Sequence, residues 1–212
     1  MTSRKRRAKA KRYKTVQYFG YGPAADPDVI AAIIGRRPLL TRPAILKGYK
    51  LGLQSLNDIP NKKIPGLPFT ARELMRILWK KDAPSGFKMY VAHKGPGRIR
   101  GAVHTIRDSD MGAMRDWELV DFKWYSIVHG KVKFDEGKTG DVITIAVKNQ
   151  RIGKNIDGLK YKIFPFEGRN FKKIFIKHAK ISRLNYLSRL KSGSVSANYK
   201  PHEIVKMINR TT

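Results

Sequence analysis

Two features of this sequence have the residue types and spacing to do chemistry. Glu118 follows Met111, Met114 and Trp117, apolar side chains at helical spacing, and precedes a strand-like run. A carboxyl beside Trp117 is shielded from water, which raises its pKa toward the range where one group can take and return a proton. The second feature is Tyr18-Phe19-Gly20-Tyr21-Gly22. It reads as a strand running into a glycine turn, whose backbone N–H groups can face an anion or an oxyanion. On spacing alone, an ordinary surface glutamate is the simpler reading of Glu118.

Other chemistries find little support. The histidines His93, His104, His129, His178 and His202 are scattered, with no pairing that builds a ligand set. His202-Glu203 lacks the second histidine of a zinc-protease helix. No metal site and no cofactor are expected. Gly95-Pro96-Gly97-Arg98-Ile99-Arg100-Gly101 looks like a phosphate loop only superficially, because strands flank it and no helix follows the glycines. The expectation there is a hairpin turn. With no cysteine the chain has no disulfide, thiolate ligand or cysteine nucleophile, which fits an intracellular setting.

The elements that must position Glu118 and the glycine turn read as follows. Thr15 to Tyr21 is β-branched and aromatic and stops at Gly22-Pro23, a strand ending in a sharp loop. Asp26-Pro27 starts a short helix with Val29, Ile30, Ile33 and Ile34 on its apolar face, ending at Gly35. A second strand covers Ala44 to Gln54, and a proline-rich loop covers Ser55 to Pro68. Thr70 caps a helix reaching Lys80. Strands follow over 87–93 and 98–106, a helix over 108–117, and strands over 124–134 and 142–147 with a turn near Gly137. Residues 149–170 are a polar connection without a clear element. Two helices, over 182–190 and 201–209, close the chain. The fold class is α+β, a strand-rich core with helices inserted and appended.

At 212 residues and 24.2 kDa one core suffices, and 41% apolar residues exclude global disorder. The expected division is a disordered basic arm over 1–14 and a single domain over 15–212. No apolar run is long enough for a membrane span and no signal-peptide pattern appears, so a cytoplasmic protein is expected. The charge is the loudest global signal. Forty-five Lys and Arg against 16 Asp and Glu leave +29, a field that attracts polyanions, nucleic acid first. Residues 1–14, with Arg4, Lys5, Arg6, Arg7, Lys9, Lys11, Arg12 and Lys14, hold 8 basic and no acidic side chains. Such an arm reads as a solubilising tail, a nucleic-acid contact, or a nuclear or nucleoid address.

The order of features resembles the gamma-glutamylcyclotransferase-like superfamily over about residues 15–210. Tyr18-Phe19-Gly20-Tyr21-Gly22-Pro23-Ala24 is similar to the strand and Tyr-Gly-Ser loop that open that family. Arg42-Pro43-Ala44-Ile45-Leu46-Lys47-Gly48-Tyr49 and Ile99 to Ile106 resemble two of its strands. Met114-Arg115-Asp116-Trp117-Glu118, with Tyr125 seven residues on, matches the element that carries the family's acid, and Ser182 to Leu190 matches its C-terminal helix.

The resemblance implies a small closed or nearly closed β-barrel with surrounding helices. It also implies cyclisation of a γ-glutamyl amine or peptide to 5-oxoproline with release of the amine. Glu118 would be the general acid/base, and Tyr21, Gly22, Pro23, Ala24 and Tyr125 would bind substrate, Tyr125 also as a hydrogen-bond partner of Glu118. No metal or cofactor is implied. Two departures bear on the chemistry. Pro23 and Ala24 remove a hydroxyl, a side-chain amide and one N–H from the loop. Arg115 places a cation near Glu118 in sequence, which is expected to lower its pKa. The alternative reading keeps the barrel as a scaffold, with catalysis weak or lost. Nucleic acid or a ribonucleoprotein would then bind the arm and the cluster Lys172, Lys173, Lys177, Lys180 and Arg183.

Overall fold

A computed structural model of the chain describes residues 13–59, 61, 70, 72, 73, 76, 88–118, 120, 125–147, 152–165 and 171–191. Its strands are β1 (Thr15–Gly20), β2 (Leu40–Ser55), β3 (Lys88–Arg107), β4 (Ser126–Phe134), β5 (Thr139–Ala146) and β6 (Lys154–Ile156). Its helices are α1 (Pro27–Ile34), α2 (Met111–Trp117) and α3 (Phe171–Lys191), with a 3-10 turn at Gly22–Ala25. The hydrogen-bonded order β3-β1-β5-β4-β2 returns to β3 through the β2–β3 ladder, so five strands close on themselves. β1 and β5 run parallel and the other ladders are antiparallel. β6 extends the sheet along β2 where β4 leaves it. The expected α+β barrel with surrounding helices is what the chain forms.

Alternation along the strands builds two cores. Phe19, Ala44, Leu46, Leu51, Ala92, Ile99, Val103, Val132, Phe134, Val142 and Ala146 come from all five barrel strands and pack together inside. Their neighbours in sequence, among them Tyr18, Ile106 and Ile145, face the other way and pack on α1, α2 and α3. The α1 signals act as read. Asp26 accepts from the Asp28 N–H at 2.8 Å, Pro27 opens the helix, and Gly35 closes it at φ 78° with its N–H on the Ala31 carbonyl.

The hairpin expected at Gly95-Pro96-Gly97 is not there. β3 runs straight through it, and both halves pair with the same strand in the same sense, Lys47 with Arg98 and Tyr49 with Lys94. The three residues instead form an irregularity opposite Gly48, whose φ of 78° absorbs the mismatch. A Cβ on Gly97 would stand 2.7 Å from the Tyr49 carbonyl oxygen, so glycine here serves a close strand approach rather than a reversal.

The helix expected over 182–190 begins at Phe171. Phe171, Phe175, Ala179 and Tyr186 recur at helical spacing and pack on the helix-side core, while Lys173, Lys177 and Lys180 take the exposed side. At the start of the helix expected over 70–80, Thr70 and Glu73 exchange capping hydrogen bonds of 2.8 and 3.2 Å. The rest of that helix lies largely outside the described residues. So do residues 1–12 of the arm and the helix expected over 201–209. Among the described residues no helix is long and apolar enough to cross a membrane.

Candidate active site

The end of β1 is held from three directions. A Cβ on Gly20 would lie 1.9 Å from the Ala24 carbonyl oxygen, so the 3-10 turn folds directly back on the strand. His104 Nε2 is 3.0 Å from the same oxygen and His104 Nδ1 is 3.0 Å from Thr41 Oγ1. A carbonyl only accepts, so the ring carries its proton on Nε2 and accepts a hydrogen bond from the Thr41 hydroxyl on Nδ1. Burial keeps the ring neutral, its pKa lowered to about 4. Gly22 then turns at φ 57°, with Tyr90 so close that a Cβ would meet its ring at 2.8 Å. The Gly22 N–H donates to the Tyr161 hydroxyl at 3.0 Å, and that hydroxyl donates to the Arg100 carbonyl at 2.6 Å.

Gly20→Ala therefore displaces the turn. The expected result is a loss of about 1–3 kcal/mol, the usual range for overpacking, read from urea unfolding midpoints. A variant with wild-type stability would show that the turn moves at little cost.

Tyr21 joins the end of β1 to the turn. Its hydroxyl donates to the Ile145 carbonyl at 2.9 Å and accepts from the Ala92 N–H at 3.0 Å, tying β5 to β3 beyond the end of β1. Tyr18 points to the helix side, and its hydroxyl donates to Glu118 Oε1 at 3.3 Å. Glu118 closes α2 with its N–H on the Met114 carbonyl at 3.0 Å. Its carboxyl pKa is raised from 4.5 to about 7 because burial strips it of water, while the Tyr18 hydrogen bond pulls the other way. Tyr125 completes the group. Its own ionisation is suppressed by burial first, then by Tyr21 and Glu118 nearby, and its hydroxyl donates to Met89 Sδ at 3.1 Å.

The structure thus brings Tyr18, Tyr21, Tyr125 and Glu118 into one electrostatic neighbourhood. The group bonded to Glu118 is Tyr18, whereas the Tyr125 hydroxyl is turned to Met89. A thioether is a weak acceptor, so Tyr125 gives up that bond at small cost. The expected lowering of the Glu118 pKa by Arg115 is overturned. Arg115 lies on the exposed side of α2, and desolvation sets the direction instead. Two positioning residues were not read from the sequence: His104, left aside when no ligand set could be built, and Tyr161, inside the polar connection. Neither has a local sequence signal, since each acts through a fold-level contact.

Tyr18→Phe removes a hydrogen bond that favours the carboxylate, so the Glu118 pKa moves higher still. Any activity that needs ionised Glu118 should then rise at higher pH than in wild type. A pH profile checks this, and an unmoved limb would disconnect Tyr18 from the titrating group.

These side chains and strands define the class: an α+β protein built on a closed five-stranded barrel, with a desolvated glutamate bonded to Tyr18 of its first strand. No protein-family model and no curated protein matches the chain. Ten solved chains are similar in structure. They include an uncharacterized human protein at 17% identity, covering 92% of this chain and 99% of that one, with a TM-score of 0.49. A gamma-glutamyl cyclotransferase is 17% identical, over 93% of this chain and 99% of that one, at a TM-score of 0.45. A yeast gamma-glutamyl cyclotransferase specific to glutathione is 11% identical, over 93% and 97%, at 0.35. At such identities the likeness is one of fold, and the chemistry is read from this chain's own side chains.

Proposed function

We propose that the chain is a cyclotransferase that converts a γ-glutamyl amine or peptide to 5-oxoproline and releases the amine. The observation that carries this reading is the half-buried Glu118 carboxyl, which accepts from Tyr18 at 3.3 Å and has a pKa raised to about 7. A group titrating there is populated both as base and as acid at neutral pH, which is what a single-residue proton shuttle needs. Glu118 as carboxylate takes a proton from the substrate's α-ammonium. The freed amine attacks its own γ-carbonyl carbon, forming the ring C–N bond. Glu118, now protonated, delivers that proton to the departing nitrogen as the original amide C–N bond breaks; the ring nitrogen gives up its second proton, through the regenerated Glu118 carboxylate, to the released amine, which leaves as an ammonium ion.

Because the nucleophile and carbonyl belong to one molecule, proximity supplies much of the acceleration. Tyr125 is the hydroxyl best placed to turn toward the developing oxyanion. The Tyr21 hydroxyl is held by two backbone partners and the Gly22 N–H by Tyr161. Tyr21, Gly22, Pro23 and Ala24 would shape the acyl pocket. Pro23 contributes no N–H, so side-chain hydroxyls carry more of the polar contact than backbone donors do.

The test is mass-spectrometric detection of 5-oxoproline from γ-glutamyl amines, γ-glutamyl amino acids and glutathione. Equal amounts of 5-oxoproline and free amine are expected from at least one of them. None from any, with the protein folded, would sink the reading. The rival, a basic scaffold binding nucleic acid through residues 1–14 and the α3 cluster, loses one of its members. Lys172 is paired with Asp26 at 2.9 Å and Asp28 at 2.7 Å, clamping α3 to the start of α1.

A further inference from the structure

The Tyr125 hydroxyl, which has to turn toward the oxyanion during turnover, rests on a sulfur in the free protein: it donates to Met89 Sδ at 3.1 Å. Tyr125 is buried, and burial first, then Tyr21 and Glu118 nearby, keeps the hydroxyl protonated, so it always needs an acceptor. Met89 lies on β3 opposite Gln54 and packs against the helix-side core with its side chain only partly covered. Of the described methionines, Met114 is fully buried, and Met111, partly covered, opens α2. Met89 therefore joins a partly accessible thioether directly to a hydroxyl of the site.

A thioether is a weak acceptor, but peroxides oxidise it readily. A lone pair of Met89 Sδ attacks one peroxide oxygen as the O–O bond breaks. That oxygen stays on sulfur and the other leaves as water with both hydrogens, so the sulfur is oxidised and the peroxide reduced. The product is a sulfoxide, whose polar oxygen is a far better acceptor than the sulfur it replaces. Methionine is unbranched and turns about three bonds, so the new oxygen can meet the hydroxyl that the sulfur held. Inside the protein, where water competes little, that bond is stronger than it would be in solvent. Tyr125 then has a strong bond to break where it had a weak one.

We propose that Met89 is a modification site: a peroxide converts its thioether to a sulfoxide, which captures the Tyr125 hydroxyl and slows the reaction at Glu118. The capture is a property of Met89 and Tyr125 alone, and only its effect on turnover rests on the cyclotransferase reading.

The test treats the full chain with dilute hydrogen peroxide and locates the sulfoxides by peptide mass spectrometry. Met89 should be modified before the fully buried Met114. The ¹³Cζ resonance of Tyr125, assigned by its loss in Tyr125→Phe, should move as Met89 is oxidised. The same treatment should leave it in place in Met89→Leu, which keeps the volume but has no sulfur. In the oxidised wild type, kcat for 5-oxoproline formation should fall roughly tenfold, the factor one retained hydrogen bond is worth. Met89→Leu should keep its own untreated rate after peroxide. A Tyr125 resonance that stays put while Met89 is oxidised would overturn the inference. So would an intact Met89 under conditions that oxidise Met114, or equal losses of rate in wild type and Met89→Leu. If the untreated protein forms no 5-oxoproline, the cyclotransferase reading falls, and the resonance still decides whether the sulfoxide captures Tyr125.

Discussion

Glu118→Gln is expected to lower 5-oxoproline formation by roughly 10²–10⁴-fold, the range contributed by a positioned proton-transfer group. The amide has the shape of the carboxyl and still accepts from Tyr18, whose hydroxyl lies 3.3 Å from Oε1 in the wild type. What it cannot do is take the α-ammonium proton or return one to the leaving nitrogen. The loss should therefore fall on kcat more than on KM, since groups that bind the acyl part are untouched. The measurement is steady-state product formation by mass spectrometry, with thermal unfolding alongside to show that the variant is folded. A variant retaining more than a tenth of wild-type kcat would remove Glu118 from the proton path.

The second large effect is on stability, and its sign is opposite. Glu118 has a folded pKa of about 7 against an ordinary value of 4.5, so the native state holds its proton more tightly than the unfolded chain does. Below pH 4.5 both states are protonated and nothing is lost. As pH rises from 4.5 to about 7 the unfolded chain releases the proton first and stability falls; above that it levels off. A shift of this size corresponds to about 3 kcal/mol between the ends of that window.

Glu118→Gln has no proton to lose. It should be more stable than wild type at pH 8 by a similar amount and should lack this part of the pH dependence. Urea midpoints of both proteins at acidic and alkaline pH decide the matter. If the two profiles run parallel, Glu118 does not titrate across that window. Higher stability with lower activity in one variant is the pattern expected of a group kept desolvated for chemistry.

How much of this was readable from the residues depended on whether a feature is local. The α1 boundaries follow from Asp26, Pro27 and Gly35, whose capping and backbone preferences act within a few residues. The raised Glu118 pKa agrees in direction with the shielding that Met111, Met114 and Trp117 suggest in sequence, but the spacing alone does not separate it from an ordinary surface glutamate. Arg115 misled for a related reason. Three residues apart on a helix would make neighbours, but Glu118 is the cap of α2, where the chain leaves helical geometry and the carboxyl turns to Tyr18.

Gly95-Pro96-Gly97 has a turn's composition and a bulge's role. Only the pairing of both flanks with β2 separates the two, and pairing is non-local. The Tyr161 hydroxyl on the Gly22 N–H and the His104 ring on the Ala24 carbonyl join residues 139 and 80 positions apart, and barrel closure pairs β2 with β3 across 33 to 65 positions. No periodicity in one sequence encodes such contacts.

The central claim is that the fold holds the Glu118 carboxyl ready to exchange a proton near neutrality. Its most direct test needs no substrate. The side-chain carboxyl carbon of Glu118 can be followed by ¹³C NMR across a pH titration and assigned by its disappearance in Glu118→Gln. A midpoint near 7, moving upward in Tyr18→Phe, is the expected result. A midpoint near 4.5 that ignores Tyr18 would contradict it, leaving Glu118 an ordinary acid on a barrel whose function lies elsewhere.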